Sequence, residues 1–262
     1  MNPASLHKLL AGLPLGGLRY FDSLGSTNDE ALAWAADGAR DLSLVIADEQ
    51  TSGRGRAGRK WSAPPATALT FSLILRPVPA PPEEAEFNPS LFTGLGAAAL
   101  ADALKPRGLE PRIKWPNDVL LDGKKVAGIL AEAVWTGDAL DAAVIGIGVN
   151  ARAGSNPPDE TLRFPATNLE AELGRPVERG ELLRDILSAL IGWRAKMRGG
   201  ELIKAWEENL AFRGQEVRVW QGSEQPLAGR VAGLASDGSL LLLVNDKIVT
   251  VQFGETRLRP AL

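Results

Sequence analysis

Arg54, Arg56, Arg59 and Lys60 stand within one short run, Gly53, Gly55 and Gly58 are interleaved with them, and Trp61 closes it. Guanidinium groups present planar forks that clamp phosphate or carboxylate oxygens. Glycines let the backbone approach a ligand closely and adopt positive φ. The chemistry such a run suits is the holding of a small anion. It follows the apolar segment Leu44-Val45-Ile46-Ala47 and precedes Pro64-Pro65, which predicts a loop leaving a strand. The bland alternative is a solvated basic loop, or a sequence-independent nucleic-acid contact. Net charge bears on the choice. The 262 residues carry a formal charge of −3, so the loop is a local positive feature on a mildly acidic protein. That favours a small anionic ligand over a polyanion.

Cysteine is absent and His7 is the only histidine. Disulfides, zinc–thiolate sites and thioester chemistry on a protein thiol are thereby excluded. A histidine-based triad has nothing to be built from. Three other stretches carry polar groups at telling places. Ser26-Thr27-Asn28-Asp29-Glu30 leads into an alanine-rich run, and Thr27 with Glu30 fits a capping box opening a helix. Its hydroxyls either cap that helix or meet a ligand at its N-terminus. Lys114-Trp115-Pro116-Asn117-Asp118 is followed by Asp122-Gly123, a hairpin signal, and then by Lys125 to Leu130. Pro116 predicts a bulge or break in the first strand, presenting Asn117 and Asp118. Ala142 to Asn150 reads as a strand whose glycines leave room for a ligand or another backbone.

These stretches need a scaffold. Leu42 to Ala47 and Leu69 to Leu75 read as strands, and Leu91 to Leu104 as an alanine-rich helix ended by Pro106 and Gly108. Residues 77–90 read as a surface connection, and ordered core begins at Tyr20-Phe21. Apolar residues recur at helical spacing from Leu182 to Ile191 and from Leu202 to Leu210, which is core packing. After Phe212-Arg213-Gly214 the texture changes to short strands with turns at Asp237-Gly238 and Asn245-Asp246, as in a small β-barrel. The division expected is residues 1–213 and 214–262. No apolar run approaches a membrane span and the N-terminus lacks a signal-peptide pattern, so a cytoplasmic protein is the expectation.

Ser26-Thr27-Asn28, Gly53 through Trp61, Lys114 through Asp118, Lys125 through Leu130 and Gly146 through Asn150, in this order, closely resemble the biotin protein ligases. The resemblance covers about residues 20–262. It implies an α+β fold, a mixed sheet with flanking helices like that of class II synthetases, followed by a small SH3-like β-barrel. It also implies a two-step reaction. Biotin is activated by ATP and Mg²⁺ as biotinoyl-5′-AMP, then transferred to a lysine of a biotin carboxyl carrier protein. Some members carry an N-terminal DNA-binding domain. About twenty residues precede the pattern here, so neither that domain nor DNA binding is expected. A membrane partner is not expected either, and a homodimer is left open. Asn168 stands where the family usually has serine, a neutral departure.

The resemblance assigns biotin contacts to Ser26, Thr27, Asn28, Gln50, Arg54 and Lys125, with Gly53, Gly55, Arg56, Gly128, Leu130 and Gly146 around them. It assigns ATP contacts to Arg56, Arg59, Lys60, Trp61, Lys114, Asn117 and Asn150. Arg54, Arg56 and Lys125 are the cations that offset repulsion when carboxylate meets phosphate. Asp118 is the candidate base for the acceptor amine. Metal ligands are not identified. The plain readings remain open beside these: Trp61 as a core aromatic, Asn117 as a turn residue, Asn150 as a strand end, and Asp118 as a fixer of the turn after Pro116. Lipoate ligation is the parallel alternative, against which Gln50 and the Ser-Thr-Asn run suit biotin's ureido ring. A noncatalytic nucleotide- or nucleic-acid-binding module is the alternative from another class.

Overall fold

A computed structural model describes residues 1, 3–77, 88–156, 164–197, 200–222, 225–254 and 256–261. Most of the expected 77–90 connection lies outside them. The sequence periods become a seven-stranded mixed sheet in the order β1-β2-β3-β7-β6-β5-β4. Its strands are β1 (Gly17–Phe21), β2 (Ser43–Ala47), β3 (Ala68–Leu75), β4 (Arg112–Lys114), β5 (Asp118–Leu121), β6 (Lys124–Thr136) and β7 (Ala139–Asn150). Only β1 and β2 pair in parallel.

Strand β3 is buried along its whole length. That matches its apolar composition, because a central strand covered on both faces has no solvent side to keep polar. Helix α2 (Thr27–Ala36) covers one face through Ala31 and Ala35 against Val45, Ile74 and Val144. Helices α3 (Pro89–Leu104) and α5 (Arg179–Arg194) build the main core on the other face. Helix α6 (Glu201–Glu208) brings Trp206 into that core, and Gly94 of α3 makes room for it: a Cβ there would stand 2.3 Å from the indole. Residues before Tyr20 are also ordered. Helix α1 (Pro3–Leu10) buries Leu6 and Leu10, and β1 starts at Gly17. Two buried leucines four residues apart are too short a pattern to mark a helix from sequence.

The turns follow their residues. Asp122 and Gly123 have φ of 44° and 71°, as the tight β5–β6 hairpin requires. Pro116 does not bulge a strand. It sits in the turn that folds β4 antiparallel onto β5, after a cis Trp115–Pro116 bond. Beyond Gly214, β8 (Glu216–Gln221), β9 (Leu227–Leu234), β10 (Leu240–Val244), β11 (Lys247–Val251) and β12 (Thr256–Pro260) form a five-stranded antiparallel sheet, ordered β11-β10-β9-β8-β12. Its Val217, Val231, Leu240 and Leu242 join the same core as Trp206. Helix α4 (Leu169–Leu173) is capped by Asn168, whose side chain accepts from the Ala171 N–H, so the departure at this position keeps a capping function. Among the described residues no helix is long and apolar enough to cross a membrane.

Candidate active site

The cavity of interest, about 110 Å³, opens on the α2 face of the sheet. Side chains alternate along β7: Ile145, Ile147 and Val149 go to the main core, while Gly146 and Gly148 face the cavity. Gly128 of β6 lies opposite Gly148, and Leu130 opposite Gly146. This bare floor is filled from above. A Cβ on Gly148 would come within 2.6 Å of the Trp61 ring, and one on Gly146 within 2.0 Å of Asn28 Oδ1. We expect Gly146→Ala to cost about 1–3 kcal/mol of stability by overpacking and to weaken ligand binding together with it. Thermal unfolding and calorimetric ligand titration test this; parental values in both would show that Asn28 is not pinned there.

Ser26, rather than Thr27, is the N-cap of α2: its hydroxyl accepts from the Asp29 N–H, and Glu30 N–H bonds to the Ser26 carbonyl. The cap therefore lies one residue before the Thr27 expected, and Glu30 does not complete a capping box with it. Thr27 is thereby free to face the cavity, and Glu30 instead pairs with Arg19. Gln50 Oε1 accepts from the Thr27 N–H at 2.7 Å, which ties the strand β2 exit to the helix start.

The basic run is a small hairpin of its own, not a flexible tail. Gly55 N–H bonds to Arg59 carbonyl and Trp61 N–H to Gly53 carbonyl, with Ala57 and Gly58 at φ 53° and 67° making the turn. Its three arginines have different surroundings. Arg54 is bound in fork geometry by Glu132 at 2.7 and 2.8 Å and also by Asp29 at 2.7 Å. Those carboxylates raise its pKa. Arg54 is therefore already neutralised, which departs from the free carboxylate clamp expected of it. Arg56 lies 4.1 Å over the Phe253 ring and donates to the Gly254 carbonyl, so the loop is latched to the connection between β11 and β12. Burial, aided by the neighbouring Arg59 charge, lowers the Arg56 pKa to about 10. Arg59 and Lys60 line the cavity.

Asp118 and Lys114 sit behind the cavity wall and Lys125 on it. Lys125 Nζ is 2.6 Å from Asp118 Oδ1, and Lys114 Nζ is 3.0 Å from Oδ2. Burial alone would raise the Asp118 carboxyl, but the two ammonium groups outweigh it and hold it well below the usual carboxylate range. Such a carboxylate is a poor proton acceptor, which tells against the base role expected from sequence. Burial lowers the Lys114 pKa despite its partner.

Most of the residues expected at the site do converge: Ser26, Thr27, Asn28, Gln50, Arg54, Gly55, Arg56, Arg59, Lys60, Trp61, Asn117, Lys125, Gly128, Leu130 and Gly146 line the cavity. Gly53 does not; it is packed under the Trp61 carbonyl. Asn150 holds the strand end by donating to the Thr167 carbonyl, and Asn117 Nδ2 donates to Ile129, both structural bonds. Trp61 lines the cavity and lies on the glycine floor, with Lys125 Nζ 5.9 Å from its ring centroid. Sequence reasoning missed Ser72, Glu132, Phe253 and Gly254. Ser72 and Glu132 had a signal: each is a polar residue within an apolar strand.

The sequence profile of the biotin/lipoate A/B protein ligase family matches residues 20–150, the stretch that builds this cavity. The chain belongs to this family. Among its curated relatives, the biotin–[acetyl-CoA-carboxylase] ligase of Mycobacterium tuberculosis is 33% identical over 263 residues, covering 97% of this chain and 94% of that protein. The bifunctional ligase/repressor BirA of Bacillus subtilis is 32% identical over 246 residues, covering 92% of this chain and 74% of the relative. Among solved structures, the biotin protein ligase of Aquifex aeolicus in complex with biotin and ATP superposes with a TM-score of 0.80 at 27% identity, over 94% of this chain and 99% of that one. In family terms, the glycine floor, the α2 N-terminus and the arginine hairpin form one cavity on one face of the family's sheet.

Proposed function

We propose that this protein is an ATP-dependent ligase that activates biotin as biotinoyl-5′-AMP and transfers the acyl group to a lysine of a biotin carboxyl carrier domain. The observation that carries this reading is the pairing of two chemistries in one cavity. Thr27 and Gln50 bring hydroxyl and amide groups to the cavity, and Lys125, Arg56 and Arg59 bring cations to it. A molecule with a polar ring and a carboxylate tail suits that combination, and an adenylate extends it.

In the first step a carboxylate oxygen of biotin bonds to the α-phosphorus of ATP, and the bond to pyrophosphate breaks. Two anions meet, so a cation fixed beforehand is worth more than one recruited during the reaction. Lys125 is that cation, and Asp118 holds it in place. In the second step the acceptor lysine nitrogen bonds to the acyl carbon, the bond to AMP breaks, and the amine loses a proton. Asp118 is already paired with both Lys114 and Lys125, so we assign it the positioning of Lys125 in place of the base role. Among the described residues no group of three or more acidic, histidine or cysteine side chains forms a metal cage. Magnesium accompanying ATP would supply charge neutralisation at the phosphates and would ask few ligands of the protein, which fits this donor set.

A carrier domain of a carboxylase as partner, a cytoplasmic setting and no DNA affinity go with this reading, which is compatible with a monomer or a homodimer. So does a boundary between a catalytic part, 1–213, and a C-terminal part, 214–262, at the turn where Phe212 and Gly214 take φ of 63° and 76°. The test is pyrophosphate release from ATP with biotin and no acceptor, run beside lipoate. Adenylate formed from lipoate and none from biotin overturns the substrate assignment.

Arg56 keeps the intermediate in place on this reading, since it latches the basic hairpin to Phe253 and Gly254. Arg56→Gly removes the latch and adds backbone freedom, so the closed loop is less populated and the adenylate escapes sooner. The expected result is that adenylate still forms and that, at matched adenylate synthesis, a bystander albumin is labelled several-fold more. Equal labelling by parent and variant would show that Arg56 does not retain the intermediate.

A further inference from the structure

Ser72 is fully buried in β3, and neither it nor Glu132 lines the cavity. They are nonetheless linked to it by a continuous chain of hydrogen bonds. Asn28 Nδ2 lies 2.8 Å from Glu132 Oε2 and 3.3 Å from the Leu130 carbonyl. Both are acceptors, so this atom must be the NH₂ and the other the oxygen. Asn28 Oδ1 then accepts from Ser72 Oγ at 2.6 Å, which commits the single Ser72 proton. Ser72 Oγ is also 2.9 Å from Thr27 Oγ1, and with the Ser72 proton committed that contact is attractive only if Thr27 donates. Thr27 Oγ1 has a second acceptor in reach, Gln50 Oε1 at 3.1 Å, but that oxygen already accepts from the Thr27 N–H at 2.7 Å, so the closer Ser72 contact takes the Thr27 proton and leaves Thr27 lone-pair capacity for a ligand.

Gln50 is fixed in the same way. Its Oε1 faces the Thr27 N–H, so its NH₂ is left as a donor for the cavity. Ser26 Oγ accepts from the Asp29 N–H and keeps its own proton to donate. The polar end of the cavity thus presents donors at Gln50 and Ser26 and an acceptor at Thr27. A ureido ring needs that combination, donors for its carbonyl and an acceptor for an N–H.

We propose that Glu132 and Ser72 are positioning residues that set the donor and acceptor polarity of the biotin-ring pocket, acting through Asn28 and Thr27. This rests on the biotin reading above. Without the carboxylate, Asn28 has less reason to keep its amide in one orientation. Without the Ser72 hydroxyl, the Thr27 proton turns to Gln50 Oε1, 3.1 Å away, and Thr27 no longer faces a bound N–H with free lone pairs alone.

The experiment measures adenylate synthesis by parent, Ser72→Ala and Glu132→Gln with biotin and with a biotin methylated on its ureido nitrogens, which has no N–H to give to Thr27. Loss of one such hydrogen bond predicts that Ser72→Ala raises the KM for biotin about tenfold and leaves that for ATP unchanged. The preference for biotin over the methylated analogue should fall by about the same factor. Glu132→Gln, which keeps the side chain's size, should lose that preference too, and it serves if Ser72→Ala fails to fold. Parental preference in the folded variants, with or without a lower Tm, overturns the proposal. If the parent itself forms no adenylate from biotin, the functional reading fails instead.

Discussion

Lys125→Met should lower adenylate synthesis by about two to three orders of magnitude, the usual effect of removing one preorganised charge from a developing anionic centre. Lys125 lines the cavity with its ammonium 2.6 Å from Asp118, so it is aimed before any ligand arrives. Methionine keeps most of the unbranched chain beside Trp61 and removes the ammonium group. Lys114 still pairs with Asp118 in the variant, which limits the loss of stability. Pyrophosphate release measured on folded variant, with the fold checked by thermal unfolding, is the test. A rate close to that of the parent would remove Lys125 from the reacting centre.

Asp118→Asn should have the larger effect on stability. The carboxylate is buried between two ammonium groups, and Lys114 is itself buried. Removing one member of a buried ionic cluster leaves the others uncompensated and costs about 3–5 kcal/mol. The pH dependence has a definite sign. The Asp118 pKa is depressed in the folded state, so its stabilisation is present above the unfolded carboxyl value of about 3.9 and is lost as pH falls through the lower folded value. Urea unfolding should show a wide gap between parent and variant at neutral pH that narrows on acidification below the unfolded value. A general-base role makes a different forecast: transfer to the acceptor would fail while stability and adenylate synthesis stayed parental.

The contrast between these two lysine–aspartate roles shows what could be read from the chain. The order of motifs placed Lys125 and Asp118 in one neighbourhood, because the Asp122-Gly123 turn folds their strands together. It did not show that Asp118 points behind the wall, since that depends on the register of β5 against β6. The glycines of β7 were legible as a place of close approach, and they are: Trp61 and Asn28 fill the space above Gly148 and Gly146. Arg54 was legible as a cation in a glycine-rich loop. Its capture by Asp29 and Glu132 depends on partners 25 and 78 residues away, which no local pattern encodes. The same holds for the latch between Arg56 and Phe253, formed across 197 positions of chain (253 − 56). The period-2 and helical patterns gave the central strands and long helices. The short α1 and the edge strand β12 carry too few apolar positions to be read that way.

The measurement that bears most directly on the whole account is intact mass of a biotin carboxyl carrier domain after incubation with this protein, ATP, Mg²⁺ and biotin. The account predicts a mass gain of one biotinyl group, dependent on ATP and on biotin and absent when the acceptor lysine is replaced by arginine. An unchanged carrier mass while biotin and ATP are present, or a gain with lipoate in place of biotin, would contradict it.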